Sequence, residues 1–529
     1  MTTGKGFKLT YATMFNPPEE LHKRYEDGLI NAKSNLGNEH AMIINGKDRY
    51  ANEKFDKVSP INTDLIMGVF QKGSAQDAKD AIDAAYRAFP SWSHTPWQER
   101  VALVRRAADL MEERIFNISP ILSLEGGKNR LESLGDIQEA VDLFRYACGQ
   151  MEANDGFVVE MGTDPLIGYT AKNTSVLVPY GVWLVISPFN IPGALTSGPT
   201  AAALVTGNTL VIKPSSDTPW APQLIAECVR DAGVPDGVCN FVTGPGRAVG
   251  QTLVESEKLS GVTFTGSYDV GMKIYRDFAQ GKWVRPIILE LGGKNPAIVS
   301  NNANIEEAAL GIVRSAFGLQ GQKCSACSRV FAEGKVYDEL IEKLVEFTNK
   351  LSIGDPTDRS VYLGPVINKN AYQEYQTYCE ELHRDGNVLT GGKIVTDGEL
   401  AKGYFCSPTL VTDLPLQHRL WKHEMFVPIT TIAKVKNLDE AFALSNDVDY
   451  GLTAGFYGNE SEAELFFDRV EAGVLYANRS QGATSGAWPG YQPFGGWKGS
   501  GATGKNVGGV YYLHSYMHEK SQTLIKIDR

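Results

Sequence analysis

The feature that most constrains this chain is a regular alternation of short apolar runs with helix-length segments. Val182–Ile186 is wholly apolar and stops at Ser187-Pro188, as a strand buried on both faces does. Residues 199–206 are small and Ala-rich, which predicts a closely packed helix, and 208–212 predict the next strand, closed by Lys213-Pro214. A helix over 222–232 stops at Gly233, and strands follow over 239–243 and 262–265, with Thr252 and Leu253 in a helix between them. The alternation restarts after Gly292-Gly293. Asn295–Val299 reads as a strand, 306–317 as a helix, 329–332 as a strand and 337–351 as an amphipathic helix. Strands linked in this way lie parallel, with helices on both faces. Two such series in 529 residues exceed one ordinary core, so two or more folding units are expected.

Composition narrows the function classes. A formal net charge of -11 opposes nucleic-acid binding, which needs a basic face. Seven cysteines, an odd and sparse number, oppose a disulfide scaffold and favour a reducing compartment. Residues 1–10 hold no apolar run, so a cytoplasmic location is expected. Residues 173–212 carry no charge, yet Pro179, Pro188, Pro192 and Pro199 interrupt them. A backbone broken that often cannot be satisfied in lipid, so a buried strand–loop–helix–strand segment is expected and no membrane span.

Three local signals carry chemistry. Cys324 follows a Gly-Gln-Lys turn after a helix, where a thiolate could be exposed and near a cation. With Cys327 it forms a Cys-x-x-Cys, but no second Cys or His pair completes a zinc site, and a buried inert thiol is the bland reading. Glu290 is bracketed by Leu289 and Leu291 at a strand end. Burial there raises a carboxyl toward the range of a general base, and the alternative is a simple cap before a glycine turn. Asn190 follows the Val182–Ile186 strand at a carboxyl end, where its amide could donate to an oxyanion or close an Asx turn. Glycines at 246 and 250, and at 266 with Ser267, follow strands and could bring backbone amides to a pyrophosphate. Residues 499–505 match most of a P-loop, but Asn506 stands where its hydroxyl residue should be, so a surface loop is the better reading.

In order along the chain stand Asn190, Lys213-Pro214-Ser215, Phe264-Thr265-Gly266-Ser267, Glu290-Leu291-Gly292-Gly293, Cys324, Glu424-x-Phe426-x-Pro428 and Pro493-Phe494-Gly495-Gly496. From about Met42 onward the chain resembles the aldehyde dehydrogenase family. The stretch from Gly321 to Arg329, with Ser485-Gly486-Ala487, is similar to the branch that oxidises L-glutamate γ-semialdehyde in proline degradation. The resemblance implies an α/β fold with a Rossmann-like, doubly wound cofactor domain (46–156 and 179–291) and an α/β catalytic domain (292–502). It also implies a small β oligomerisation arm (157–178 and 503–529) and a homo-oligomer built as a dimer or a multiple of dimers, while residues 1–45, with Pro17-Pro18 and many charges, read by themselves as an N-terminal arm or helical extension.

The implied chemistry is oxidation of a small-molecule aldehyde to an acid by NAD, with NADP open because Ser216 stands where NAD-preferring relatives carry Glu. Cys324 attacks the aldehyde carbon, Asn190 and the Cys324 N–H hold the oxyanion, and Glu290 activates the hydrolytic water. Cofactor contacts fall to Ser187, Phe189, Lys213, Ser215, Ser216, Gly246, Gly250, Gly266, Ser267, Leu291, Glu424 and Phe426. Substrate contacts fall to Phe189, Lys323, Ser325, Gly486, Ala487 and Phe494, with no metal. The alternatives are another semialdehyde or an aromatic aldehyde, a CoA-acylating relative (opposed by Glu290), a thiol-redox or metal module at Cys324 and Cys327, and a non-catalytic scaffold of the same fold.

Overall fold

The computed structural model describes residues 17–163, 168–482, 488–502 and 504–527. The apolar run Val182–Ile186 is a central strand of a seven-stranded sheet. The order across the sheet is Ile287–Glu290, Leu259–Thr265, Val182–Ile186, Thr209–Lys213, Cys239–Phe241, Met42–Ile44 and Lys47–Arg49. The first five strands are parallel and the last two antiparallel. Trp183 locks this sheet to the C-terminal segment. It is fully buried, its ring lies 4.4 Å from that of Tyr516, and its Nε1 donates to Thr263 Oγ1 at 2.8 Å.

The helix that crosses this sheet, Pro192–Thr206, begins earlier than the small-residue run predicts, because Pro192 suits the first helical position. It ends at Gly207, whose φ of 94° needs a residue without Cβ. Its first turn is capped from another helix. Asp136 of Arg130–Ala153 accepts the N–H of Ala194 at 2.7 Å, and Lys128 pairs with Asp136 at 2.8 Å with both side chains sealed from water.

The second α/β series forms another seven-stranded sheet, in the order Asn387–Thr390, Thr409–Thr412, Ile429–Val435, Cys327–Glu333, Asn295–Val299, Thr453–Tyr457 and Val474–Ala477. All but the first of these strands are parallel. Arg329, buried on the central strand, donates to the carbonyls of Lys294, Leu444 and Ser445 at 2.8–3.0 Å.

The N-terminal stretch contains a helix and a strand of the first sheet. The helix Glu19–Ser34 buries Leu21 and Tyr25 against Ile115 and Phe116, and Met42–Ile44 joins the first sheet. In the tail, Tyr512–Tyr516 is a 3-10 turn whose Tyr512, Leu513 and Tyr516 belong to the first core, and only Met517–Ile527 is strand. That strand pairs antiparallel with Tyr169–Pro179, which pairs in turn with Val158–Glu160. Val158, Val159, Met161, Leu524 and Ile525 stay exposed on or beside this small sheet. No described helix is long and apolar enough to cross a membrane.

Trp183→Ala should lower stability by about 3–5 kcal/mol, through lost burial, the cavity left behind and the loss of the Nε1 bond to Thr263, whose hydroxyl keeps Tyr516 as a partner. A chemical-denaturation midpoint followed by circular dichroism checks this.

Candidate active site

The carboxyl ends of the first sheet open onto a cavity of about 1270 Å³. Its wall holds Ser187, Phe189 and Asn190 after one strand, Lys213 and Ser215 after the next, and Gly266 and Ser267 after a third. Gly246, Gly250, Leu291, Cys324, Glu424 and Phe426 complete it. Lys213 is buried, and its Nζ donates to the Pro214 carbonyl at 3.2 Å. Burial pulls its ammonium down to about 8. An ammonium has three donors, so Lys213 retains capacity for ligand hydroxyls. A Cβ on Gly246 would meet nothing, so the backbone there is open to close approach. Ser267 caps the helix Tyr268–Ala279 without spending its side chain, leaving that hydroxyl and the first-turn amides facing the cavity. Phe189 and Phe426 meet edge to face, with centroids 5.8 Å apart. Glu424 Oε1 accepts the Gly293 N–H at 2.8 Å, and burial raises its carboxyl to about 7. These groups suit a dinucleotide: amides and a helix N-terminus for phosphates, and Lys213 and Glu424 for two riboses.

The nucleophile loop lies where the two sheets meet. It leaves the helix Ile305–Phe317 through Leu319 and Gln320, both with positive φ, and Gly321, where a Cβ would stand 2.6 Å from the Val427 carbonyl. Cys324 faces the cavity beside Asn190, whose Nδ2 donates to the Gln322 carbonyl at 3.0 Å. The second N–H of that amide is left for a ligand oxygen. Lys323 turns toward Glu132, 3.8 Å away, and lines a separate cavity of about 480 Å³, yet its charge still acts on Cys324, as the expected neighbouring cation. Burial, then Glu424 and Glu290, push the Cys324 thiol up to about 12, opposed by the backbone N–H groups of Ser325 and Cys324. The cation is therefore present but shared with Glu132, and burial outweighs its pull on the thiol.

Glu290 ends its strand as predicted, and its carbonyl accepts the Gly266 N–H at 3.1 Å. Its Oε2 is sealed without a hydrogen-bond partner, and burial raises the carboxyl to about 8. It stands behind the cavity wall rather than in it.

Other expected contacts fall differently. Ser216 is exposed and outside the wall, while its neighbour Asp217 lines it. Ser325 is 1% exposed and lines neither cavity, because its loop is held tightly from behind. Phe494 belongs to the first hydrophobic core, through a bridge to Val507. Gly486 and Ala487 lie outside the described residues. Sequence reasoning missed Lys128, Glu132 and Asp136 of the second cavity, and Tyr378, His423 and Tyr450 of the first. Each stands in a stretch without a distinctive local motif, so only the fold brings it in. Among the described residues, Glu381, Asp385 and His418 are close enough to share a metal, but Arg419 and Arg384 already pair with the two carboxylates.

A parallel sheet carrying a dinucleotide-sized cavity, with a thiol at its inner end and a buried carboxyl behind it, defines a cofactor-dependent enzyme of covalent thiol chemistry. Residues 48–522 match the aldehyde dehydrogenase family, and the chain belongs to it. It is 38% identical over 509 residues to a 1-pyrroline-5-carboxylate dehydrogenase of Geobacillus sp. (strain WCH70), covering 95% of this chain and 96% of that protein. The solved 1-pyrroline-5-carboxylate dehydrogenase from Thermus with bound NAD superposes with a TM-score of 0.91 at 32% identity, over 99% of this chain and all of that one. A betaine aldehyde dehydrogenase from Staphylococcus aureus in complex with NAD+ gives 0.87 at 28% identity, over 94% of this chain and 97% of that one.

The raised Glu290 carboxyl has a consequence for stability. The folded state holds this proton up to about pH 8, whereas an unfolded Glu releases it near pH 4.5. The native state therefore binds more protons across that window, and the group's contribution to stability falls as pH rises through it. Glu290→Gln should gain thermal stability over wild type progressively between those values. Melting temperatures at pH 5 and pH 9 check this, with the larger gain at pH 9.

Proposed function

We propose that the protein oxidises L-glutamate γ-semialdehyde to L-glutamate with NAD, through a thioester on Cys324. The observation that carries this reading is the convergence of Cys324 and the Asn190 amide at the inner end of the cavity, with a buried, proton-holding Glu290 behind them. Cys324 adds to the aldehyde carbon, and its own N–H with the spare Asn190 N–H receives the oxyanion. When bound, the nicotinamide accepts the hydride that leaves the tetrahedral carbon. Glu290 then takes a proton from the water that opens the thioester, a role its raised carboxyl suits near neutral pH. Lys213, Ser267 and Glu424 hold the cofactor.

The substrate assignment rests on relatives of that name matched over nearly their whole length. The second cavity supports it, since it is lined by both cations, Arg314 and Lys323 among them, and by carboxylates, Glu132 and Glu139, as an amino acid's two charges require. We further assign residues 46–156 and 179–291 to the cofactor unit and 292–502 to the catalytic unit. The exposed apolar residues of the arm sheet suit burial against a second copy, hence a dimer or a multiple of dimers.

Purified protein should form NADH with glutamate semialdehyde faster than with uncharged aliphatic or aromatic aldehydes, and Cys324→Ala should abolish it. Activity on uncharged aldehydes alone keeps the nucleophile and removes the substrate assignment. The same assay with NADP decides cofactor choice. Glu290→Gln should cut steady-state turnover by roughly 10²–10⁴-fold. It should still release a rapid burst of NADH, visible by stopped flow, because the thioester forms and then waits for water.

A further inference from the structure

Asn295 reaches the nucleophile loop from outside the machinery described so far. It is the first residue of the strand Asn295–Val299 and is buried. Its Nδ2 donates to the carbonyls of Cys324 at 2.6 Å and Ala326 at 2.9 Å, and its Oδ1 accepts the Thr453 N–H at 2.9 Å. These partners fix the orientation of the amide, because its oxygen must face the N–H and its nitrogen the carbonyls. Thr453 Oγ1 donates to the Ser325 carbonyl at 3.3 Å, so three successive carbonyls are held by this pair. Gly293 lets the clamp close, since a Cβ there would stand 2.3 Å from the Cys324 oxygen.

The other end of the clamped peptide bears on the chemistry. Carbonyl and N–H point in opposite directions across a trans peptide, so fixing the Cys324 oxygen fixes where the Ser325 N–H points. That N–H is among the groups that favour the ionised Cys324 sulfur. Donation to the carbonyl also polarises the peptide and strengthens the N–H as a donor. Of the charged groups near the sulfur, Glu290 and Glu424 repel a thiolate, and Lys323, turned toward Glu132, attracts it. Backbone N–H groups add to that attraction and favour the reactive form.

We propose that Asn295 is a positioning residue for Cys324, aiming the Ser325 N–H at the sulfur by clamping the carbonyl of the same peptide. The proposal rests on the reading of Cys324 as nucleophile. The test follows iodoacetamide labelling of the Cys324 peptide by mass spectrometry across pH, in full-length wild type, Asn295→Ala and Asn295→Ser. In Asn295→Ala the labelling rate at a fixed pH between about 7 and 9 should fall about tenfold, as a one-unit rise of the thiol makes it. Asn295→Ser keeps one donor and should fall between; it carries the test alone if the Ala variant does not fold. NAD affinity should be unchanged in both, because neither touches the cofactor wall. A folded variant that labels at the wild-type rate across this range overturns the proposal, whatever its turnover, and leaves Cys324 as nucleophile intact. Wild-type Cys324 that fails to label at any pH overturns both readings.

Discussion

Exclusion of water where the two sheets meet is the constraint on which the site depends. Five ionisable side chains are buried or half-buried there, and each is displaced toward its neutral form. Glu290 and Glu424 are raised to about 8 and about 7, and the Cys324 thiol to about 12. Lys213 and Lys294 are lowered to about 8 and about 7. A low-dielectric environment makes any charge that appears there strongly responsive to the few dipoles aimed at it. The fold supplies those dipoles from backbone: the N–H groups of Cys324 and Ser325, and the first turn of Tyr268–Ala279.

This explains why so much of the chain is scaffold. The Lys128–Asp136 pair is far from cheap to bury, yet it fixes the N-terminus of Pro192–Thr206, immediately after Asn190. Arg329, wholly buried, holds the strand Cys327–Glu333 to the segments at Lys294 and Leu444, and that strand begins three residues after Cys324. The polar groups inside the molecule are spent on placing one loop against one sheet edge.

The strand–helix alternation was legible because strands buried on both faces read as continuous apolar runs, and those from Val182 to Val299 fall within a few residues of the expected bounds. Cys324, Glu290 and Asn190 stood out because each has a distinctive neighbourhood in sequence. The misses have a common physical origin. Whether Ser325 faces a ligand or the protein interior depends on the clamp from Asn295 and Thr453, which lie 30 and 128 residues away. Phe494 looks like a pocket aromatic locally, but its bridge to Val507 draws it into the core. Lys323 looks like a thiolate partner, but Glu132, on a helix of the other unit, shares its charge. Local pattern reports what a side chain can do, and long-range pairing decides which of those things it does.

The same burial raises a question of order in the chemistry. With the thiol pushed up to about 12 and the Glu290 carboxyl to about 8, both groups hold their protons in the unliganded site near neutral pH. Two neutral groups at rest slow, without stopping, attack by adventitious electrophiles and oxidants that react with thiolates. Ionisation must be coupled to the arrival of whatever fills the cavity, through displaced water, new positive charge or tightened N–H contacts. A site built this way gains most of its reactivity when occupied. On the proposed mechanism Glu290 must lose its own proton before it can take one from water, so the same change that ionises the thiol has to lower the Glu290 carboxyl from about 8.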